Sequence, residues 1–224
     1  MFKKKTFLGI IVARGKSKRL KNKNLKKLLG KPLIWYTISS AKKSKFLDKV
    51  IISSECPKIL KVARKFYCET PFIRPRYLSL DNIGATDVVY HAIKKINIHY
   101  DYVVLLQPTS PLRSKNDIDN AIKKIINQRA NSLISVFYSL KNEKFSILPI
   151  QKYFKYKIKE IKKYYINGAI YICNTKIFLK KKTFYLNKIV PYLMKKNKSI
   201  DIDFLSDFIK VEKILKRRYL NFYN

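Results

Sequence analysis

Arg14, Lys16, Lys18, Arg19, Lys21 and Lys23 crowd the stretch that follows a near-continuous apolar run, Phe7, Leu8, Ile10, Ile11 and Val12. Such a run suits a strand buried on both faces of a parallel sheet. The loop leaving the carboxyl end of such a strand is where open α/β sheets bind ligands. Gly15 allows a sharp turn or a close backbone approach there. Successive backbone N–H groups can form a nest for an anion, and Lys and Arg side chains add charge-assisted bonds to phosphate oxygens. The stretch therefore reads as a phosphate cradle or, in so basic a chain, as a solvated cationic loop. Neither GxxxxGK[ST] nor GxGxxG occurs, so it is not one of those nucleotide fingerprints. Near the other end stand Asp201 and Asp203, two apart in an apparent strand over 199–203. Alternation puts both on one face, where they can share a divalent cation directly or through water. The rival reading is a pair of exposed carboxylates answering nearby lysines. His91 and His99 have no acidic or cysteine neighbours at metal spacing, and no Ser-His-Asp or Cys-His arrangement is legible.

The elements that must position these residues follow from periodicity. Residues 32–43 have helical spacing, with Pro32 suited to a first helical position. A strand over 49–53 leads to a helix over 57–66. Residues 70–81 hold two prolines and no period, so they read as an extended loop before a helix over 87–97. A buried, central strand over 101–106 ends abruptly in Gln107-Pro108-Thr109-Ser110-Pro111, and a helix over 117–128 and a strand over 132–137 follow. Residues 140–163 lose any clean period and read as an excursion from the sheet. A strand returns over 165–173, then a mixed basic region, the short strand over 199–203 and a final helix over 204–216. Strand and helix alternating in this rhythm give right-handed crossovers and an α/β fold on a mainly parallel, Rossmann-like sheet.

The chain has 224 residues, 47% of them hydrophobic, which fits one domain over 1–224 with a proper core. Its formal net charge is +36, from 50 Lys and Arg against 14 Asp and Glu. The cations are spread along the whole length rather than gathered in a stripe, which argues for a generic polyanion affinity and against a specific nucleic-acid partner. Cys56, Cys68 and Cys173 are too few and scattered for a disulfide framework and fit a reducing compartment. The opening MFKKKTFLGIIVARG imitates a signal peptide, but Arg14 cuts its apolar part short and no cleavage site follows. No run approaches the roughly 20 apolar residues of a membrane span, so a cytoplasmic protein is expected.

Five segments, in order, resemble the acylneuraminate cytidylyltransferases: ARGKSK at 13–18 with Lys23-Asn24, RPRYLSLD at 74–81, LLQPTSPLR at 105–113, NGAIYI at 167–172 and SIDID at 199–203. They cover nearly the whole chain. The resemblance implies a nucleotide-diphospho-sugar transferase fold and a reaction in which the anomeric oxygen of a nonulosonic acid attacks the α-phosphate of CTP, giving a CMP-sugar and pyrophosphate with Mg²⁺. The substrate's own hydroxyl is then the nucleophile, and positioning and charge stabilisation supply most of the acceleration.

On this resemblance Arg14 and Lys23 hold the triphosphate, with Lys21 a competing candidate for the phosphate lysine. Gly15, Ser17, Asn24, Arg74 and Thr86 complete the nucleotide site, and Asp201 and Asp203 bind the Mg²⁺. Gln107, Lys157, Asn167 and Tyr171 are assigned to the sugar pocket. Gln107 could instead close a turn before Pro108, and Tyr171 could equally belong to the core. Asn167 and Tyr171 lie four apart in a strand, and period two puts them on one face. Relatives of this kind are commonly homodimers, and 140–163 is the natural candidate for the dimerisation arm.

The chain also departs from the pattern. Lys16 replaces the second glycine of the family's loop, and Tyr156-Lys157-Ile158 stands where many relatives carry an arginine. Tyr165 replaces another arginine, and Ala85 replaces a Ser or Thr, with Thr86 beside it. Lys157 supplies charge without the planar fork of arginine, so the sugar stays open. Activation of an eight-carbon keto-sugar acid is one rival. A retired scaffold that binds polyanions is the other.

Overall fold

The structure, a computed structural model, describes residues 1–140 and 163–220. Its strands are β1 (Phe7–Val12), β2 (Lys27–Leu28), β3 (Lys31–Pro32), β4 (Lys49–Ser53), β5 (Tyr102–Leu106), β6 (Ser132–Ser139), β7 (Lys163–Asn174) and β8 (Ile189–Leu193). Six of them form one sheet in the order β4-β1-β5-β7-β6-β8, while β2 and β3 make a small separate hairpin. β1 runs parallel to both β4 and β5, and β6 is parallel to β8. β7 is the reversed strand, antiparallel to β5 and β6. The sheet is therefore mostly parallel, as the alternating rhythm of the sequence predicts, and β5 is an interior strand.

The apolar run of β1 decides the layering. Phe7 and Ile11 face one layer while Leu8 and Ile10 face the other, all buried. The first layer is supplied by α1 (Leu33–Lys42), α2 (Pro57–Lys65) and α4 (Lys115–Asn127), through residues such as Ile38, Ile59 and Ile122. The second is supplied by α3 (Ala85–Ile96) and α5 (Thr175–Lys181), through Val89, Ala92 and Phe178. A third cluster joins α6 (Leu205–Leu220) to the loop after β1: Phe208, Val211 and Leu215 pack with Leu20, Leu28, Leu33 and Ile202. That cluster brings the end of the chain back to its beginning. α4 starts at a capping box, in which Ser114 accepts from the Asp117 N–H and the Asp117 carboxylate accepts from the Ser114 N–H.

Three expectations change. Residues 199–203 are not a strand, because no edge among the described residues pairs with them, so alternation does not govern where Asp201 and Asp203 point. Asn167 and Tyr171 do not share a face. The register of β6 against β7 slips between Ile134, opposite Tyr171, and Val136, opposite Ile166, and Gly168 at the slip has φ +71. The bulge resets the parity, as bulges do. Ile166 and Tyr171 pack into the same layer, whereas Asn167 turns to the opposite one, bonding Ser135 and meeting Met194. Finally, the mixed basic region holds α5, whose apolar residues are interleaved with lysines, and the edge strand β8, whose short apolar run is interrupted by Pro191, a residue confined to sheet edges. The proposed excursion over 140–163 lies almost wholly outside the described residues, and so does Lys157.

Candidate active site

A cleft of about 610 Å³ opens over the carboxyl ends of β1 and β5. Its lining includes Arg14, Ser17, Lys18, Arg19, Lys23 and Asn24 from the loop after β1, with Arg74 and Asp81 from the extended loop. Gln107 and Thr109 come from the end of β5, Ala85 and Val88 from α3, and Asp201 and Asp203 from the chain's return. Arg14 and Asp203, far apart in sequence, thus face one cavity, at the place where open α/β sheets bind ligands.

The acidic segment is held there by backbone and side chain. Ile202 N–H donates to the Thr109 carbonyl at 2.9 Å. Lys23, only 13% exposed, donates through Nζ to the Ile202 carbonyl at 2.6 Å and to Asp203 Oδ1 at 3.1 Å. Arg19 donates to Asp203 Oδ2 at 2.7 Å. Asp207 accepts from the N–H groups of Asp203 and Phe204, capping the start of α6. Burial pushes the Asp201 carboxyl up to about 6, with Asp203 and Asp207 adding repulsion and Thr109 and Lys23 pulling the other way, and its Oδ1 is buried with no hydrogen-bond partner among the described residues.

Across the cleft, Arg14 and Lys18 both reach Asp81, at 2.8 Å each. The Arg14 carbonyl accepts from Asn24 Nδ2 at 2.9 Å, and Asn24 Oδ1 is buried without a partner among the described residues. Gly15 departs from the nest its position suggests. Its N–H donates to Glu55 Oε1 at 2.6 Å rather than standing free for an anion. Arg74 is buried and spends its guanidinium on Glu55, Ser79 and the Ala13 carbonyl.

The floor is set by the turn after β5. Arg113, fully buried, donates to the carbonyls of Gln107 and Ala169 and to Thr37 Oγ1, locking the turn to β7 and α1. Burial lowers its guanidinium to about 9. Gln107 lines the cleft with its side chain against Gly168, where an added Cβ would come within 2.6 Å of Gln107 Oε1. Thr86, Asn167 and Tyr171 do not line it. Asn167 is a buried hub bonding Ser135, Ser199 and the Ala169 N–H, and Tyr171 packs on Phe184 behind the wall, where burial raises its phenol well above the usual range.

Residues 8–223 match the sequence profile of the family described as "Cytidylyltransferase". The chain belongs to that family. This cytidylyltransferase is 33% identical over 222 residues to the pseudaminic acid cytidylyltransferase of Campylobacter jejuni, covering 93% of this chain and 95% of that protein. It is 32% identical to the CMP-N,N'-diacetyllegionaminic acid synthase of Legionella pneumophila, covering 93% and 96%. It is also 32% identical to the N-acylneuraminate cytidylyltransferase of Escherichia coli, covering 96% of this chain and 54% of that protein. Among solved structures, the CMP:2-keto-3-deoxy-manno-octonic acid synthetase complexed with CTP superposes with a TM-score of 0.73 at 13% identity, over 95% of this chain and 99% of that one. At that identity the likeness speaks for the fold alone.

The cytidylyltransferase site suits a hard cation. The orphaned Asp201 Oδ1 and the nearby Asp203 carboxylate are oxygen donors of the kind Mg²⁺ takes. No group of three or more His, Cys, Asp or Glu side chains gathers for a metal among the described residues. A cation here would rely on these two carboxylates, with phosphate oxygens and water completing its shell. Sequence reasoning missed Glu55, Asp81, Thr109 and Arg113. Asp81, Thr109 and Arg113 stood inside quoted motifs, the first and last as charged residues ending a run, whereas nothing around Glu55 marked it. No helix among the described residues is long and apolar enough to cross a membrane.

Proposed function

We propose that this cytidylyltransferase activates a nonulosonic acid with CTP, releasing pyrophosphate. The observation that carries the reading is the meeting, in one cleft, of the cationic loop after β1 with the Asp201–Asp203 segment, tied together by Lys23. Arg14, Ser17 and Lys23 meet the triphosphate, and Asn24 offers its unpartnered Oδ1 to a nucleotide donor. The anomeric hydroxyl of the sugar acid forms the new O–P bond at the α-phosphate as the bond to the β-phosphate breaks, and the hydroxyl proton is released to water. The cations stabilise charge on the departing pyrophosphate. Mg²⁺, held by Asp201 and Asp203, would neutralise further phosphate charge.

Gln107 faces the sugar, since an amide both donates to and accepts from hydroxyls. Asn167 and Tyr171 support that pocket from behind, Thr86 sits in the first turn of α3 beside the nucleotide, and Arg74 and Gly15 serve by holding the loops in place. Lys157 is assigned to the sugar carboxylate. The chain acts as one cytoplasmic domain in a homodimer, with 140–163 as the arm, which its mass in solution checks.

The test is purified protein with CTP, Mg²⁺ and a panel of sialic, legionaminic, pseudaminic and eight-carbon keto-sugar acids, followed by pyrophosphate release. Turnover with a nine-carbon acid supports the reading. Turnover only with the eight-carbon acid transfers the activity to that substrate, and no turnover with any of them refutes it.

A further inference from the structure

The Arg14–Gly15 peptide unit is bonded at both ends. Its carbonyl accepts from Asn24 Nδ2 at 2.9 Å, and its N–H donates to Glu55 Oε1 at 2.6 Å. A peptide plane with both polar groups engaged has lost its freedom to rotate, and the departure point of the Arg14 side chain is fixed with it. The other oxygen of the same carboxylate, Glu55 Oε2, accepts from Arg74 Nη2 at 2.6 Å. That pair is buried, with side chains 3% and 13% exposed for Arg74 and Glu55. Arg74 extends the link, donating to Ser79 Oγ at 3.0 Å, while its own N–H reaches the Ser54 carbonyl at 2.9 Å. One carboxylate thereby joins three segments: the loop after β1, the turn between β4 and α2, and the extended loop that carries Asp81. The approach is close, for a Cβ on Gly15 would lie 2.8 Å from Cys56 Cβ. Glu55 is also ionised under ordinary conditions. Burial works to raise its carboxyl, but the bonds from the Gly15 N–H and Arg74 outweigh it and hold it below its usual value.

We propose that Glu55 is a positioning residue for triphosphate binding: by clamping the Gly15 N–H against Arg74 it turns that amide away from the cleft and aims Arg14 into it. This rests on the reading of the cleft as a triphosphate site. The anion is then met by side chains rather than by the backbone nest that a glycine in a cationic loop would otherwise offer. Affinity accordingly depends on how firmly the loop is aimed, because a mobile cation pays an ordering cost on binding that a fixed one does not.

The test measures binding of inorganic triphosphate by calorimetry at about 0.15 M salt, where long-range attraction to so basic a chain is screened. It also measures KM and kcat with CTP and the sugar acid that turns over. Glu55→Gln removes the charge at constant shape. Because that leaves Arg74 buried without its counter-ion and can unfold the protein, Glu55→Asp is made alongside: it keeps the charge opposite Arg74 but, one methylene shorter, cannot reach Gly15 as well. Each folded variant is expected to bind triphosphate about tenfold more weakly, as for a lost charge-assisted bond. KM for CTP should rise by a similar factor while KM for the sugar acid holds. A merely structural role would lower the melting temperature and the active fraction without moving affinity per folded molecule. Wild-type affinity in a folded Glu55→Asp protein overturns the proposal, as does a wild-type protein that binds no triphosphate. A wild type that binds triphosphate yet makes no CMP-sugar refutes the proposed function instead, and leaves the Glu55 comparison readable.

Discussion

Asp203 sits between Arg19 and Lys23 and is 35% exposed, so its ion pairs are worth little to folding, while its place in the cleft gives it leverage over chemistry. Asp203→Asn should cost less than about 1 kcal/mol of stability, in keeping with an exposed pair. The same change should reduce turnover at least about 100-fold, the scale for removing one charge-stabilising group from a site. Chemical denaturation and pyrophosphate release check the two halves, and full activity would remove Asp203 from the site. Which cations belonged to the loop was legible from the sequence, because Arg and Lys alone supply fixed positive charge there. How each is used was not. The pairing with Asn24 favours Lys23 over Lys21, and the structure shows what Lys23 does: it lines the cleft, which Lys21 does not, and bonds the Ile202 carbonyl and Asp203.

Two elements fix the site's frame, and each makes a prediction. At the bulge in β7, Gly168 has φ +71 and lies against Gln107. Gly168→Ala should cost about 1–2 kcal/mol through left-handed strain and push the Gln107 amide aside, so urea midpoints should fall and KM for the sugar acid should rise. At the opposite end of the sheet, Asp101 accepts from the Thr6 N–H, the Thr6 hydroxyl and Lys5, joining the start of β1 to that of β5. Burial works to raise the Asp101 carboxyl, but these bonds outweigh it and hold it lower than usual. A group depressed in the folded state contributes stability above its unfolded value, and loses it as pH falls through the folded one. Asp101→Asn should therefore cost about 1 kcal/mol near pH 7. The gap should close in strong acid, where both proteins are neutral at this position. A gap that persists unchanged there would show that charge is not what matters. The strands that flank the site were readable from their apolar runs. The bulge was not, since one glycine in NGAIYI does not announce that parity resets, and this is why Asn167 and Tyr171 part company.

Over the whole molecule, the net charge of +36 is an excess that no local pairing cancels. It should give a polyanion affinity that falls by more than about tenfold between 50 and 200 mM salt, the behaviour of phosphate contacts made through counterion release. Retention on a phosphate-rich resin across a salt gradient checks this. Tight binding that survives high salt would instead favour the polyanion-binding rival.

The sequence by itself determined the alternation of strands and helices, the cationic loop after β1 and the acidic pair near the end, because apolar period and charge are properties of local runs. Only the tertiary structure decided that 199–203 is drawn across the carboxyl ends of β1 and β5 by Lys23 and Thr109 rather than extended as a strand. It also decided that Glu55 and Arg74 close over Gly15. Those outcomes depend on which buried donors and acceptors find one another when distant segments meet, and the order of residues along a chain does not contain that distance.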